Sequence, residues 1–205
     1  MGVAARKQAV GALKRALIFV AARRVFEAEG LDGASLRAIA TAAGYTPAAL
    51  YFHFPSKEAI YAEVLQASLT RLFEAVSQAA PPDMPPAPRF RAAAMAFFQF
   101  YAANPGDLDL GFYLFRGGMK PRGLGRERDE ALNAGLSIAL GPISVAAQGL
   151  GASPGEAQLL VVDVFAHAAG LLLLAHTGRI RMFAAEAEPL MRRYVEERVL
   201  LLGGR

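Results

Sequence analysis

Apolar residues recur at spacings of three and four along most of this chain, the period of one helix face. Ile18, Ala22, Val25 and Phe26 mark the first such face and predict a helix from about Arg6 to Glu29. Gly30 follows as a helix stop, and Leu31-Asp32-Gly33 as a turn. Ser35 caps a short helix, Leu36 to Ala43, whose inner side is Leu36, Ile39, Ala40 and Ala43. Gly44 ends it. Thr46 caps another short helix reaching about His53, with Pro47 at its first position, where a missing N–H costs nothing. Leu50 and Phe54 form its buried side. Ser56 then caps a long helix to about Ala79, with Ile60, Val64, Leu65, Leu69, Leu72 and Val76 as its stripe.

Residues 81–88, PPDMPPAP, are predicted to be a stiff, non-helical connector. Helices are expected over Arg89–Ala103 and Asp107–Arg116, separated by Asn104-Pro105-Gly106, and residues 117–125 as a loop. Arg126–Gly149 reads as a helix with a kink or break at Pro142. Ser153-Pro154 opens a helix to about His176, and a last one spans Ala184–Leu202. The pattern predicts an all-α protein.

Composition supports this reading. Hydrophobic residues make up 54% of the 205 and charged residues 20%, enough apolar surface to build a core. There is no cysteine, which excludes disulfides, thiolate metal sites and a cysteine nucleophile, and fits a reducing cytoplasm. Three histidines and no metal-ligand spacing argue against a metal site. Nothing in the sequence calls for a cofactor: it has no Gly-rich phosphate loop. The basic N-terminus lacks the apolar run of a signal peptide. Leu159–Ala175 is short for a membrane span, which needs about 20 residues, and holds Asp163 and His167, so no membrane is expected as a partner.

Charge is distributed unevenly. Residues 1–60 hold eight Lys/Arg against four acids, while the remainder holds fourteen of each. The whole net charge of +4 therefore lies where the two short helices lie, as a polyanion would require.

Two short helices joined at Gly44 match a helix-turn-helix, the second helix entering the major groove of double-stranded DNA. With Leu50 and Phe54 inward, Pro47, Ala48, Ala49, Tyr51 and His53 are left on the other faces. The small residues permit close approach to base edges and thymine methyls. Tyr51 and His53 can bond phosphate oxygens, Lys57 at the next helix N-terminus can take a phosphate, and Arg37 a phosphate or a guanine edge.

The run from Ile18 through Val64 resembles the N-terminal domain of TetR/AcrR regulators. The residues carrying the resemblance are Ser35-Leu36-Arg37-Ala38-Ile39-Ala40, Ala43-Gly44-Tyr45-Thr46, and Leu50-Tyr51-Phe52-His53-Phe54-Pro55-Ser56-Lys57-Glu58. The resemblance implies a helix-turn-helix domain over residues 1–58 and a helical ligand-binding and dimerisation domain over 59–205. It implies DNA contact by Ser35, Arg37, Thr46, Pro47, Ala48, Ala49, Tyr51, His53 and Lys57. It also implies a pocket for a small apolar or aromatic effector, with Phe97, Phe98, Tyr101, Phe112, Tyr113, Phe115, Met119, Leu136, Asp163 and His167 as candidates. Plain hydrophobic core is the competing reading for each aromatic, and a satisfied buried polar group for each histidine.

The last two helices suit a homodimer. Leu159–Ala175 is apolar nearly all round, and Leu190, Met191, Tyr194, Val195, Val199 and Leu202 form one stripe. The expected function is a ligand-responsive regulator, a repressor on a palindromic operator, with an activator or a non-inducible regulator of the same fold as the alternative. An enzyme is not expected. Asp163 with His167 is the one acid/base pair at helical spacing that could support catalysis.

Overall fold

The computed structural model describes residues 2–111 and 123–203, without the side chains of residues 3, 4, 7 and 8. Among the described residues there is no strand; they form nine α-helices and one 3-10 turn. The chain divides into two compact units, Met1–Ser68 with Gly106–Leu132, and Leu69–Pro105 with Asn133–Arg205. The boundary expected after residue 58 and the one after Ser68 both fall within the helix Lys57–Ala79.

The first unit opens with α1, Val3–Gly33, which starts earlier than its apolar pattern predicts and breaks its helical geometry at Gly30 (φ 70°). That left-handed φ is open to glycine at no steric cost. Helices α2 (Leu36–Ala43) and α3 (Pro47–His53) have the predicted bounds. Ser35 Oγ accepts from the Ala38 N–H at 3.1 Å, and Thr46 Oγ1 from the Ala49 N–H at 3.3 Å. Gly44 closes α2 in the left-handed region (φ 73°). Helix α4, Lys57–Ala79, follows, with Ser56 Oγ accepting from the Ala59 N–H at 3.2 Å. Ile18, Ala22, Phe26, Ile39, Leu50, Phe54, Ile60 and Tyr61 are buried in this unit. Phe26 meets Tyr61 edge-on with ring centroids 4.8 Å apart. Asp107 in α6 (Pro105–Gly111) is fully buried and receives the Arg23 guanidinium at 2.6 and 3.3 Å. Burial alone would lower the pKa of Arg23, but its bonds to Asp107 and Glu27 outweigh that and raise it.

The second unit is built from the later part of α4, α5 (Pro86–Ala103), the later part of α7 (Arg126–Gly149), α8 (Pro154–His176), the 3-10 turn Arg179–Phe183 and α9 (Ala187–Gly203). Its core holds Phe90, Phe97, Phe98, Ile143, Val164, Leu172, Met191 and Val195. Arg91 on α5 bonds both carboxylate oxygens of Glu196 on α9 at 2.8 Å. A reciprocal capping box between Ser153 and Glu156 starts α8.

Several expectations are corrected. The connector ends at Pro85, because Pro86 and Pro88 occupy the first turn of α5, where N–H groups lack intrahelical partners anyway. Helix α6 begins at Pro105 rather than Asp107 and is described to Gly111. Helix α7 continues through Pro142 without a break. Helix α9 starts at Ala187, since Ala184 adopts a left-handed φ of 48° after the 3-10 turn. On α9, Met191, Val195, Val199 and Leu202 are buried in their own unit, so most of the stripe assigned to a partner serves the chain's own core. The exposed apolar residues of that helix are Leu200 and Leu201.

By length and composition α7 and α8 are each apolar enough to cross a membrane, with a third of each apolar window buried. On α8 the exposed large apolar residues are Leu159, Val162 and Leu173, Leu159 being 67% exposed.

Candidate nucleic-acid interface

The candidate interface is built on α3. Leu50 and Phe54 anchor the helix from below, and Phe19 and the Arg15 guanidinium pack on the Phe54 ring at 5.9 and 5.2 Å. At about 100° per residue, the face opposite these anchors is Ala48, Ala49 and Phe52, flanked by Tyr51 and His53. Tyr51 is 60% exposed and Phe52 87%, and the Phe52 ring meets His53 edge-on at 5.3 Å. Ala48 and His53 are exposed, Ala49 and Pro47 half-exposed.

Phe52 is the residue sequence reasoning missed. It lies four residues after Ala48, on the line facing away from Leu50, and helical spacing alone would have found it.

The other expected contact residues divide. Arg37 is exposed on α2. Ser35 and Thr46 are exposed but use their hydroxyl oxygens as helix caps. Lys57 was expected to offer its ammonium to a phosphate. Its Nζ instead donates to the backbone carbonyls of Leu31, Asp32 and Ala34 at 2.7, 3.1 and 3.0 Å. An ammonium has three N–H donors, and these three carbonyls account for them. Lys57 thus ties the segment leading into α2 to the start of α4. The basic excess is similarly thinned: Arg15 pairs with Glu63, and Arg23 with Glu27 and Asp107. Among the described side chains, Arg6, Lys14, Arg24 and Arg37 remain as exposed cations.

The effector candidates in the second unit do not gather at one place. A cavity of about 420 Å³ between α7 and α8 is lined by Leu136, Leu140, Val145, Val161, Val162 and Phe165, with Ser137, Ser144 and Gln158 as polar groups. Leu136 is the candidate that lines it. Phe97 stands behind Phe165, with ring centroids 5.8 Å apart, and meets Tyr101 at 5.3 Å. Phe98 and Tyr101 are core. Phe112, Tyr113, Phe115 and Met119 lie outside the described residues.

Asp163 is exposed and His167 half-buried toward α9, where its ring stacks on Tyr194 at 4.0 Å. Desolvation, then Arg193 and Arg198, lower the pKa of His167, against the opposing pull of Glu197 and the Leu190 backbone. Burial, then the Asp163 charge, raise that of Tyr194. Nε2 of His167 is buried without a hydrogen-bond partner. His176 donates from Nε2 to the Tyr101 carbonyl at 3.2 Å.

Residues 18–64 match the family model for bacterial regulatory proteins of the tetR family. Over 87 residues the chain is 38% identical to the HTH-type transcriptional activator FasR of Mycolicibacterium smegmatis, a match covering 42% of this chain and 40% of that protein. The fold is shared with a tetR-family regulatory protein from Rhodococcus RHA1 (TM-score 0.70, 20% identity, 93% of this chain and 97% of that one). It is also shared with the regulator FadR of Bacillus subtilis, solved with stearoyl-CoA (TM-score 0.68, 16% identity, 89% and 96%).

Proposed function

The chain belongs, through residues 18–64, to the tetR family of bacterial regulatory proteins, and from that premise we propose a ligand-responsive repressor that binds a palindromic operator as a homodimer. The observation that carries the reading is the outer face of α3: Ala48, Tyr51, Phe52 and His53 exposed together on a helix fixed by Leu50 and Phe54. Small and aromatic side chains there suit thymine methyls and base edges, while Arg37, Tyr51 and His53 suit phosphates. Ser35, Thr46 and Pro47 set the pose of the two helices, and Lys57 holds the pair from behind. The reading head occupies residues 1–58 and the regulatory part 59–205.

The effector is an apolar molecule seated between α7 and α8. A cavity of about 420 Å³ is within the size of small-molecule sites, roughly 300–1,000 Å³. The complex of FadR with stearoyl-CoA supports an acyl chain as the first probe. Helix α4 contributes residues to both units and carries the coupling; about 1–3 kcal/mol suffices for a useful switch. The dimer forms through the uncovered face of α8, where Leu159, Val162, Ala166, Ala169 and Leu173 follow at spacings of three and four, together with Leu200 and Leu201 of α9. The protein works in the cytoplasm and has no catalytic role. The Asp163–His167 pair is not an acid/base dyad, because His167 is stacked on Tyr194 and bonded toward Leu190.

Fluorescence anisotropy on operator DNA tests this reading. Tyr51→Ala lowers affinity at least tenfold, and stearoyl-CoA releases the wild-type protein. Unchanged affinity in the variant overturns the interface; no release by acyl-CoA thioesters of any chain length overturns the effector class alone. The named activator among its relatives favours one second reading, activation from the same complex, distinguished by whether the effector raises or lowers transcription in vitro.

A further inference from the structure

A groove between α1 and the end of α3 lies beside the reading face. Gly11, Lys14, Arg15 and Ile18 follow at spacings of three and four along α1, and with Ala12, His53 and Phe54 they line a cavity of about 310 Å³. Ile18 and Phe54 are buried and close its inner side. Arg15 is already engaged: its guanidinium pairs with Glu63 and lies over the Phe19 and Phe54 rings at 5.6 and 5.2 Å. Lys14 is exposed and carries no ion pair among the described side chains. Gly11 stands inside a helix, where glycine is disfavoured relative to alanine, and a Cβ there would meet nothing within 4 Å. Packing within the chain does not call for a glycine at this place; close approach of another backbone does.

Charge and position identify the occupant. Residues 1–26 hold six Lys/Arg and no acid, so the α1 wall of the groove favours an anion. His53 belongs both to this groove and to the helix that reads DNA, so a strand lying against α3 passes the opening. Resting on that DNA-reading role of α3, we propose that the groove holds one backbone phosphate of each half-site between the Lys14 ammonium and a ring N–H of His53. Lys14 is then a positioning residue: it ties α1 to the strand beside α3 and fixes the register in which α3 meets the bases. A phosphate carries no base identity, so Lys14 contributes affinity through charge and none of the sequence preference. It precedes residues 18–64, which match the family model, so this contact is not carried over from the matched domain. A lipid headgroup offers the same chemistry, but the groove opens beside the reading helix, where DNA is the ligand at hand.

The test uses the full chain and an inverted-repeat duplex selected from random sequence, with one phosphate at a time replaced by a neutral methylphosphonate. Fluorescence anisotropy should find one position per half-site where the replacement weakens wild-type binding about fivefold. At that same position Lys14→Gln and His53→Ala should each lose most of this sensitivity. On the unmodified duplex, Lys14→Gln should reduce the salt slope by about 1.8, counting both protomers, with Tm and helical content unchanged, and Lys14→Arg should restore the slope. The loss in Lys14→Gln should be uniform across operators altered at single bases. The proposal is overturned by an unchanged slope in Lys14→Gln, or by wild-type sensitivity of that variant at every phosphate. It is also overturned by Lys14-dependent binding to phosphatidylglycerol vesicles with the DNA slope unchanged, which would assign the site to lipid. Each of these leaves operator binding by α3 standing, whereas failure to select any duplex removes that reading and this one together.

Discussion

Lys57 offers the sharpest separation between two roles for one residue. A lysine on a phosphate contributes to salt-dependent affinity and little to stability; one spent on backbone carbonyls does the reverse. Lys57→Met keeps most of the apolar stem and removes the ammonium from the carbonyls of Leu31, Asp32 and Ala34. Hydrogen bonds to a charged group are worth about 1.5–3 kcal/mol each when water cannot replace them. Asp32 is exposed and Leu31 half-exposed, so water recovers part of the loss, and the net cost is about 3 kcal/mol. For a chain of this size that lowers Tm by about 6–12 °C.

The counterpart is Arg37→Met on the exposed side of α2, which leaves Tm within about 2 °C, since surface changes rarely exceed ~0.5 kcal/mol. Titration of operator DNA over a salt series then gives the slope of log K against log salt, whose magnitude falls by about 0.9 for each phosphate no longer neutralised. Lys57→Met should keep the wild-type slope and lower Tm; Arg37→Met, changed in both protomers of the proposed dimer, should reduce the slope by about 1.8 and keep Tm. A Lys57 variant with unchanged Tm and a slope reduced by about two would refute the reasoning.

Three further outcomes follow from the same geometry. Phe52→Ala removes the most exposed apolar ring of α3 and should weaken operator binding by about 1–2 kcal/mol without changing the salt slope, read by the same titration. Leu159→Glu with Leu173→Glu on α8 places charge on the proposed dimer face and should yield a monomer in light scattering, with operator affinity abolished; an intact dimer would move the interface elsewhere. His167 has a folded pKa below the ordinary imidazole value, so below about pH 6.5 the unfolded chain takes up a proton that the folded one resists. Its contribution to stability is therefore complete at higher pH and declines as pH falls below about 6.5, and His167→Phe, which keeps a ring against Tyr194, should flatten that decline in a series of thermal melts.

The helix-turn-helix was legible because its signals are local. Ser35, Gly44 and the pair Thr46-Pro47 punctuate α2 and α3 within a few residues, and each does what its chemistry demands. The helix starts near proline were less legible, because Pro86 is as acceptable in a first helical turn as in a connector. The partners of Lys57 left no mark in the sequence, since any residue supplies a backbone carbonyl. The Arg23–Asp107 pair joins positions 84 residues apart, beyond the reach of any periodicity. Periodicity also found the stripe on α9 but could not say what covers it: Met191, Val195 and Val199 are buried in the chain's own core, while Leu159, Val162 and Leu173 on α8 and Leu200 and Leu201 on α9 are left exposed. Among the described effector candidates, Leu136 lines the α7–α8 cavity while Phe97, Phe98 and Tyr101 are core, because an aromatic that lines a cavity and one that fills a core have the same neighbours in sequence.

The central claim is that α3 reads DNA twice, in a two-fold assembly. Selection of bound molecules from a pool of random 30-base-pair duplexes, followed by sequencing, measures this directly. The account predicts enrichment of an inverted repeat whose half-sites are one helical turn or a multiple apart, about 10–10.5 base pairs per turn, with the pattern abolished in Tyr51→Ala. Enrichment of a single unrepeated motif, or of none, would contradict it.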